Sequence, residues 1–184
     1  MAELPAVPVP DRPLPGVYLA GPDVFFPDIA ARAAVQKALC GELGLRPLHP
    51  VDQPELQAET IYRHNLALIR EAAGVVANLD PFRGAEVDSG TAFEVGYAIA
   101  LGKPVVAYFS VNEDWRQRVE RCQGPLHFDP SRAVWCDADG NLVENFGLPA
   151  NLMLAIPCTV VVGDAGTALR RLRDLLQPGC SGCE

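Results

Sequence analysis

The sequence predicts an α/β protein built on a doubly wound parallel sheet of five strands, with helices on both faces. Two observations lead to this fold class. Short apolar runs rich in valine, typical of strands buried on both faces, alternate along the chain with longer segments of helical spacing. Parallel strands need such crossovers, so we expect ligands to bind at the carboxyl ends of the strands.

The first half of the chain supplies two strands and two helices. Residues 16–20 form an apolar run that ends at a Gly-Pro pair, as a buried strand followed by a turn does. A helix follows, with Asp28 placed to cap it and Gly44 to end it. Residues 45–48 include a proline and predict an edge strand, and helical spacing returns over residues 59–73.

The second half continues the alternation, as flavodoxin-like and Rossmann-like folds do. We expect strands over residues 74–79, 105–109 and 160–162, and helices over residues 91–101 and 165–176. The first of these strands is the most apolar and is expected at the centre of the sheet. Residues 113–148 are polar and interrupted by prolines, and they receive no assignment.

Length and composition favour one soluble domain. The 184 residues are enough for one core, and we expect a flexible proline-rich leader over residues 1–15, a single domain over 16–177 and a flexible tail over 178–184. A net charge of −8 argues against nucleic acid or an anionic membrane as a partner, because both bind basic surfaces. Without a signal peptide or an apolar span, a cytoplasmic location is expected.

Neither a metal nor a cofactor is expected. His49, His64 and His127 lack the spacing of metal ligands. Cys180 and Cys183 have the spacing of half a zinc or redox site, but no second pair or nearby histidine completes it. We therefore interpret this pair as part of the flexible tail.

Acidic residues concentrate after the central strand. Asp80, Asp88 and Glu94 fall within fifteen residues, at an edge where acidic side chains usually bind or react with a ligand. If Ser89 or Thr91 caps the helix, Glu94 lies in or just after its first turn, where the helix dipole favours a negative charge by ~0.3–1 kcal/mol. An ionised carboxylate can attack a sugar carbon. A glutamate that only caps a helix is the other interpretation of the same spacing.

Several motifs, in order and spacing, resemble those of the nucleoside 2-deoxyribosyltransferase family. They are YLAGP at residues 18–22, NLALI at 65–69, VVANLDPFRG at 75–84 and DSGTAFEVGY at 88–97. Two further motifs, at residues 144–148 and 151–153, extend the similarity over residues 17–153. The motif that contains Glu94 is the most specific of them.

The resemblance implies a pentosyltransferase of nucleoside salvage, whose partners are a nucleoside and a free nucleobase. Glu94 would attack C1′ of a 2′-deoxynucleoside, the base would leave, and a second base would take the sugar. Tyr18 would orient Glu94 by a hydrogen bond. Asp88 would contact the sugar hydroxyls.

Base recognition is implied for residues near the strand ends. Phe25 or Phe26 would pack against the base, and we expect Gly21 and Asp80 to line the same crevice. Asn65 stands where some relatives have an aspartate that assists protonation of the base. An asparagine cannot supply that proton, although it can still donate and accept hydrogen bonds.

The resemblance also implies a homo-oligomer, at least a dimer, with shared active sites. Asn151 and Met153 match residues that enter the active site of a neighbouring subunit in the family. Relatives also extend a C-terminal carboxylate into a neighbouring site, but the ending of this chain does not match, so Glu184 receives no such role.

Two alternative functions remain open on the sequence. The first is an N-glycoside hydrolase with the same nucleophile, in which water resolves the intermediate. Nucleotide-cleaving relatives have a small hydroxyl residue in place of Asp88, and a carboxylate there would repel a 5′-phosphate, so nucleosides are favoured over nucleotides. The second is a nucleotide-sensing module without catalysis on the same fold. The preference for purine or pyrimidine also stays open.

Overall fold

The computed structural model describes residues 13–52 and 57–177. Twelve residues of the predicted leader and the whole predicted tail, with Cys180 and Cys183, lie outside the described residues. The described helices and strands begin at Gly16 and end at Leu176. The division into leader, domain and tail stays a prediction.

A parallel five-stranded sheet forms the centre of the fold, and it confirms the predicted fold class. Its strand order is β2-β1-β3-β4-β8. The strands are β1 (Gly16–Ala20), β2 (Arg46–Leu48), β3 (Gly74–Asn78), β4 (Val105–Phe109) and β8 (Thr159–Val162). Every residue of β1, β3 and β4 is buried, as the continuous apolar runs require. The proline-containing β2 lies at the edge, as predicted.

Two long helices cover each face of this sheet. Helices α1 (Ile29–Glu42) and α6 (Ala165–Leu176) pack on one face, and α2 (Ala58–Glu71) and α3 (Ser89–Ala100) pack on the other. Within residues 13–52 and 57–177, no helix is long and apolar enough to cross a membrane. Successive side chains of a strand point to opposite faces, so Val17 packs against α6 while Tyr18 faces α2 and α3.

Helix α1 begins and ends where the sequence predicts, but Asp28 does not cap it as expected. The Asp28 carboxylate instead accepts a hydrogen bond from Arg32 Nε at 2.9 Å. Gly44 follows the helix with φ of 67°, a left-handed conformation that closes helices and favours glycine.

The unassigned segment contains a helix and a second, smaller sheet. Helix α4 (Trp115–Gln123) is followed by the antiparallel strands β5 (His127–Asp129), β6 (Val134–Cys136) and β7 (Leu142–Val143). These strands are too short to show a period of two in the sequence. Val119 and Val143 pack with Ala85, which lies in the loop between β3 and α3. The small sheet therefore supports the loop that leads to Glu94.

The strand order reverses between β1 and β3, and this reversal positions the site. From β1 the chain moves outward to β2, then returns to β3 on the other side of β1. In such sheets the carboxyl ends on either side of the reversal form the crevice that binds ligands. Gly21, the residue after β1, lies very close to Asn78 at the end of β3. A Cβ added to Gly21 would be 2.9 Å from the Asn78 Cβ. Glycine therefore allows these two strand ends to approach.

Candidate active site

Three polar side chains from three different elements meet at this crevice. Tyr18 on β1 donates a hydrogen bond from its hydroxyl to Glu94 Oε1 at 2.6 Å. Asn65 on α2 donates from Nδ2 to the same oxygen at 3.4 Å. Glu94 extends from α3, so donors from two other elements meet at one of its carboxylate oxygens. Within the described residues, Oε2 of Glu94 accepts no hydrogen bond.

Asp88 determines where the helix that carries Glu94 begins. Its carboxylate accepts hydrogen bonds from Thr91 N at 2.8 Å and Thr91 Oγ1 at 2.9 Å, so Asp88 is the N-cap. The expectation that Ser89 or Thr91 caps the helix was wrong, because Ser89 is the first helical residue and Thr91 supplies the donors. Glu94 consequently lies in the second turn, where the influence of the helix dipole has weakened.

Partial burial is the main influence on the pKa of Glu94. Loss of hydration raises the pKa of Glu94 from 4.5 to about 7, against the hydrogen bond from Tyr18, and the nearby negative charge of Asp88 raises this pKa further. Burial therefore opposes the ionisation of this carboxylate that the start of the helix was expected to favour. Burial and the adjacent Glu94 also raise the pKa of the Tyr18 hydroxyl, which stays protonated as a donor.

The aromatic residues after β1 pack against the loop after β3. The Phe25 ring stacks on Phe82 with centroids 5.3 Å apart and planes 19° apart, and Phe26 meets Phe82 edge-on at 6.0 Å. The guanidinium of Arg32 lies 4.4 Å from the centroid of Phe26, whereas that of Arg83 lies over both Phe25 and Phe82. Phe82 and Arg83 were not among the predicted site residues, and their only signal in the sequence is their place in the motif at residues 75–84.

Asp80 is bound to the end of the neighbouring strand instead of to Glu94. Its Oδ1 accepts hydrogen bonds from Ser110 N at 2.8 Å and Ser110 Oγ at 3.0 Å. Of Asp80 and Asp88, only Asp88 contributes to the raised pKa of Glu94. A contact between Asp80 and the substrate stays a prediction.

Asn151 begins the short helix α5 (Leu152–Ala155) and is held by its own chain. Its Nδ2 donates to Glu144 Oε1 at 2.7 Å, and its Oδ1 accepts from Met153 N at 3.0 Å. The second oxygen of Glu144 accepts from Leu152 N at 3.1 Å. The Met153 side chain is 73% exposed, so it is accessible to another chain.

In the part of the chain that the structure describes, no group of three histidine, cysteine, aspartate or glutamate side chains lies close enough together to hold a metal ion. The expectation that the protein uses neither a metal nor a cofactor stays a prediction.

The sequence profile of the nucleoside 2-deoxyribosyltransferase family matches residues 17–153. The chain belongs to this family. The matched range contains Tyr18, Asn65, Asp88 and Glu94 together with the segment around Asn151. The predicted family is therefore confirmed.

Known proteins support the same assignment. The 2-deoxyribosyltransferase from Leishmania mexicana superimposes with a TM-score of 0.72 at 34% identity, over 86% of this chain and 97% of that one. An uncharacterized protein of Schizosaccharomyces pombe is 30% identical over 158 residues, which are 76% of this chain and 75% of that protein. The CMP N-glycosidase of Clostridium botulinum has a TM-score of 0.47 at 17% identity, over 85% of this chain and 96% of that one, and is too distant to bear on function.

Because its pKa is raised, Glu94 should lower the free energy of unfolding at high pH, where its carboxyl group is ionised. The folded protein holds the Glu94 proton more tightly than the unfolded chain, so this stability is present below pH 4.5 and is lost as the pH rises through about 7. Glu94→Gln cannot ionise. It should exceed the wild type in free energy of unfolding by roughly 1–3 kcal/mol at pH 8 and match it near pH 4.5.

Urea unfolding of both proteins at the two pH values measures this difference. Glu59→Gln, which changes an exposed glutamate on α2, serves as the control and should behave like the wild type at both values. If the free energies of unfolding of the wild type and Glu94→Gln change in parallel with pH, the pKa of Glu94 is not raised in the folded protein.

Proposed function

We propose that this protein is a nucleoside 2-deoxyribosyltransferase of cytoplasmic nucleoside salvage, which exchanges the base of a 2′-deoxynucleoside through a covalent deoxyribosyl-Glu94 intermediate. One observation carries the proposal. Oε1 of the half-buried Glu94 accepts the hydrogen bond from Tyr18 at 2.6 Å, while Oε2 has no hydrogen bond within the described residues. Family membership and the likeness to the Leishmania mexicana transferase support the reaction class.

The reaction proceeds by two displacements at C1′. In the first, Glu94 Oε2 forms a bond to C1′ while the bond from C1′ to the base breaks, and the electron pair leaves with the base. In the second, a ring nitrogen of the incoming base attacks C1′, the electron pair of the bond from C1′ to Glu94 returns to the carboxylate, and the N–H proton of the base passes to water. Two inversions give net retention of configuration. The hydrogen bond from Tyr18 occupies Oε1, which leaves Oε2 as the attacking oxygen.

Asn65 and Phe25 are the base-binding residues that the geometry favours. The Asn65 Oδ1 is buried and has no hydrogen-bond partner among the described residues, so an N–H of the base can use this acceptor. Phe25 is 53% exposed, whereas Phe26 is only partly exposed and has the guanidinium of Arg32 4.4 Å from its ring centroid. The sequence left the choice between the two phenylalanines open, and exposure favours Phe25.

Incubation with deoxyinosine and adenine tests the proposal. We expect deoxyadenosine and hypoxanthine as products, with kcat/KM rising around pH 7 as Glu94 ionises. Glu94→Gln should lose exchange by roughly 10³-fold or more, as enzymes do without their nucleophile. Glu59→Gln should keep full activity. Free hypoxanthine alone would indicate the hydrolase, and no product would indicate the sensing module. Near-normal exchange by folded Glu94→Gln would exclude the mechanism.

We propose nucleosides over nucleotides as substrates because of Asp88. Its carboxylate stands at the start of α3, where a phosphate would otherwise find free amide groups and a favourable helix dipole. A serine caps helices as well as an aspartate does, so Asp88→Ser removes the charge and keeps the cap. The remaining effect of this variant therefore reports on the substrate.

Asp88→Ser should lower nucleoside turnover by about tenfold, through loss of a charge-assisted hydrogen bond to the sugar, and should improve binding of 5′-monophosphates. Turnover of deoxyinosine is compared with that of its 5′-monophosphate. Asp88→Asn, also a neutral cap, should shift the preference in the same direction. An unchanged ratio in both variants would show that Asp88 does not face the 5′ end of the sugar.

We infer a homo-oligomer in which Asn151 and Met153 reach the active site of a neighbouring subunit. The contacts of Asn151 within its own chain are to Glu144 and Met153. Phe146, Met153 and Ile156 expose large apolar surfaces on the same segment, as a surface that packs against another chain does. The Glu144 contacts would hold this segment rigid for its neighbour.

Mixing inactive Glu94→Ala with impaired Asn151→Ala subunits tests this sharing. In a symmetric dimer, each mixed pair has one site with both changes and one intact site. With random exchange, activity should recover to roughly a quarter of the wild type. Differently tagged chains confirm that subunits exchange. Confirmed exchange without recovery would place Asn151 in its own subunit's site or in none.

A further inference from the structure

We propose that Arg83 recognises the nucleobase by donating two hydrogen bonds to neighbouring acceptors on its edge, and that it favours a 6-oxopurine over a 6-aminopurine. The inference rests on the proposed base exchange at Glu94. It concerns the arginine that lies over the Phe25–Phe82 pair, a residue whose backbone and side chain are both held in unusual positions.

Arg83 lies at the edge of the sheet where the reaction is proposed. The loop after β1 carries Phe25, and the loop after β3 carries Phe82 and Arg83. Both loops leave the carboxyl ends of adjacent parallel strands, on either side of the reversal in strand order. The second loop leads directly into α3, which carries Glu94. A base that stacks on the exposed ring of Phe25 is therefore within reach of Arg83.

The guanidinium of Arg83 is held in place while its donors stay free. Its Cζ atom lies 5.1 Å from the centroid of Phe25 and 4.7 Å from that of Phe82. Within the described residues, Arg83 makes no hydrogen bond and no ion pair. Arg32, by comparison, lies over Phe26 and is paired with both Asp23 and Asp28. The N–H groups of Arg83 are thus positioned by the rings and available to a ligand.

The backbone of Arg83 is a second, independent observation. Its φ is 57°, in the left-handed region that a residue with a Cβ rarely adopts, and Gly84 follows with φ of 146°. Strained residues of this kind persist where the surroundings fix them, and they are frequent at ligand clamps. Here the buried Ala85 and the stacked Phe82 fix the loop on either side of Arg83.

The shape of the guanidinium selects the base. Two parallel N–H groups match two neighbouring acceptors, and the O6 and N7 atoms of a 6-oxopurine present such a pair. Adenine replaces O6 with an amino group, a donor that faces the donors of the arginine. A 6-aminopurine therefore loses one hydrogen bond and gains a repulsive contact.

The same contact assists departure of the base. When the bond from C1′ to the base breaks, the electron pair stays on the base and its negative charge spreads toward O6 and N7. Asn65 has no acidic proton to donate, and a guanidinium keeps its proton at every ordinary pH. Arg83 stabilises the departing base by hydrogen bonding to it, and the proton reaches the base later from water.

The test separates recognition of the base from chemistry by two measurements. Equilibrium dialysis gives the affinities of the free bases hypoxanthine, 7-deazahypoxanthine and adenine. Exchange of labelled hypoxanthine into deoxyinosine, and of labelled adenine into deoxyadenosine, gives kcat and KM. The variants are Arg83→Gln and Arg83→Lys, which keeps the charge but lacks the paired donors. The control is Arg116→Gln, because Arg116 lies over Trp135 in the small sheet.

The wild type should bind hypoxanthine about tenfold or more tightly than adenine or 7-deazahypoxanthine. Arg83→Gln should bind the three bases within about threefold of one another, with a loss for hypoxanthine of roughly 5- to 150-fold. Arg83→Lys should lie between the two, and the control should match the wild type. In exchange, the loss for deoxyinosine should appear in kcat as well as in KM.

Equal losses of affinity for all three bases would overturn the proposal, because they would indicate a structural role for Arg83. Unchanged affinities would also overturn it, because Arg83 would then not contact the base. Loss of binding of deoxyinosine 5′-monophosphate with an unchanged base profile would also overturn it, by assigning Arg83 to phosphate. If the bases bind as expected but the wild type exchanges none, the proposed function fails while the assignment of Arg83 stands. If the wild type exchanges bases but the Arg83 variants keep its relative affinities for the bases, the proposed function stands and the assignment of Arg83 fails.

Discussion

The hydrogen bond between Tyr18 and Glu94 joins the first strand to a helix 76 positions later, and the rest of the site depends on it. It forms because the period of two in β1 turns Tyr18 toward the face covered by α2 and α3. The distance of 2.6 Å also requires α3 to begin at the right residue, which the Asp88 cap ensures. A slip of one residue in β1 would point Tyr18 to the opposite face.

Partial burial of an acid in this position opposes stability when the acid is charged. A carboxylate with a pKa of about 7 is poorly solvated in its charged form, and the two donors on Oε1 only partly replace water. The same poor solvation leaves the charged form more reactive toward an electrophilic carbon. Asp88 has two opposite effects. It stabilises α3 by capping the helix, and its negative charge raises the pKa of Glu94.

The loops around the crevice are supported from two sides. Phe25 and Phe82 stack across the gap between the loops after β1 and β3. On the other side, Val119 and Val143 of the small sheet and its helix pack against Ala85. The rigid elements therefore hold a loop that carries Arg83 in a left-handed conformation. Precise placement of side chains on a loop requires such support, because an unsupported loop would relax the strain.

The sequence alone determined the parallel sheet, its edge strand and the family, because apolar periodicity and the motif around Glu94 are local patterns. It placed Tyr18, Asn65 and Glu94 as candidates, and the tertiary structure decided that they share one carboxylate oxygen. The helix cap, the raised pKa of Glu94 and the turn of Asp80 toward Ser110 arise from burial and from neighbours far along the chain. The short strands of the small sheet depend likewise on partners that no local pattern reveals.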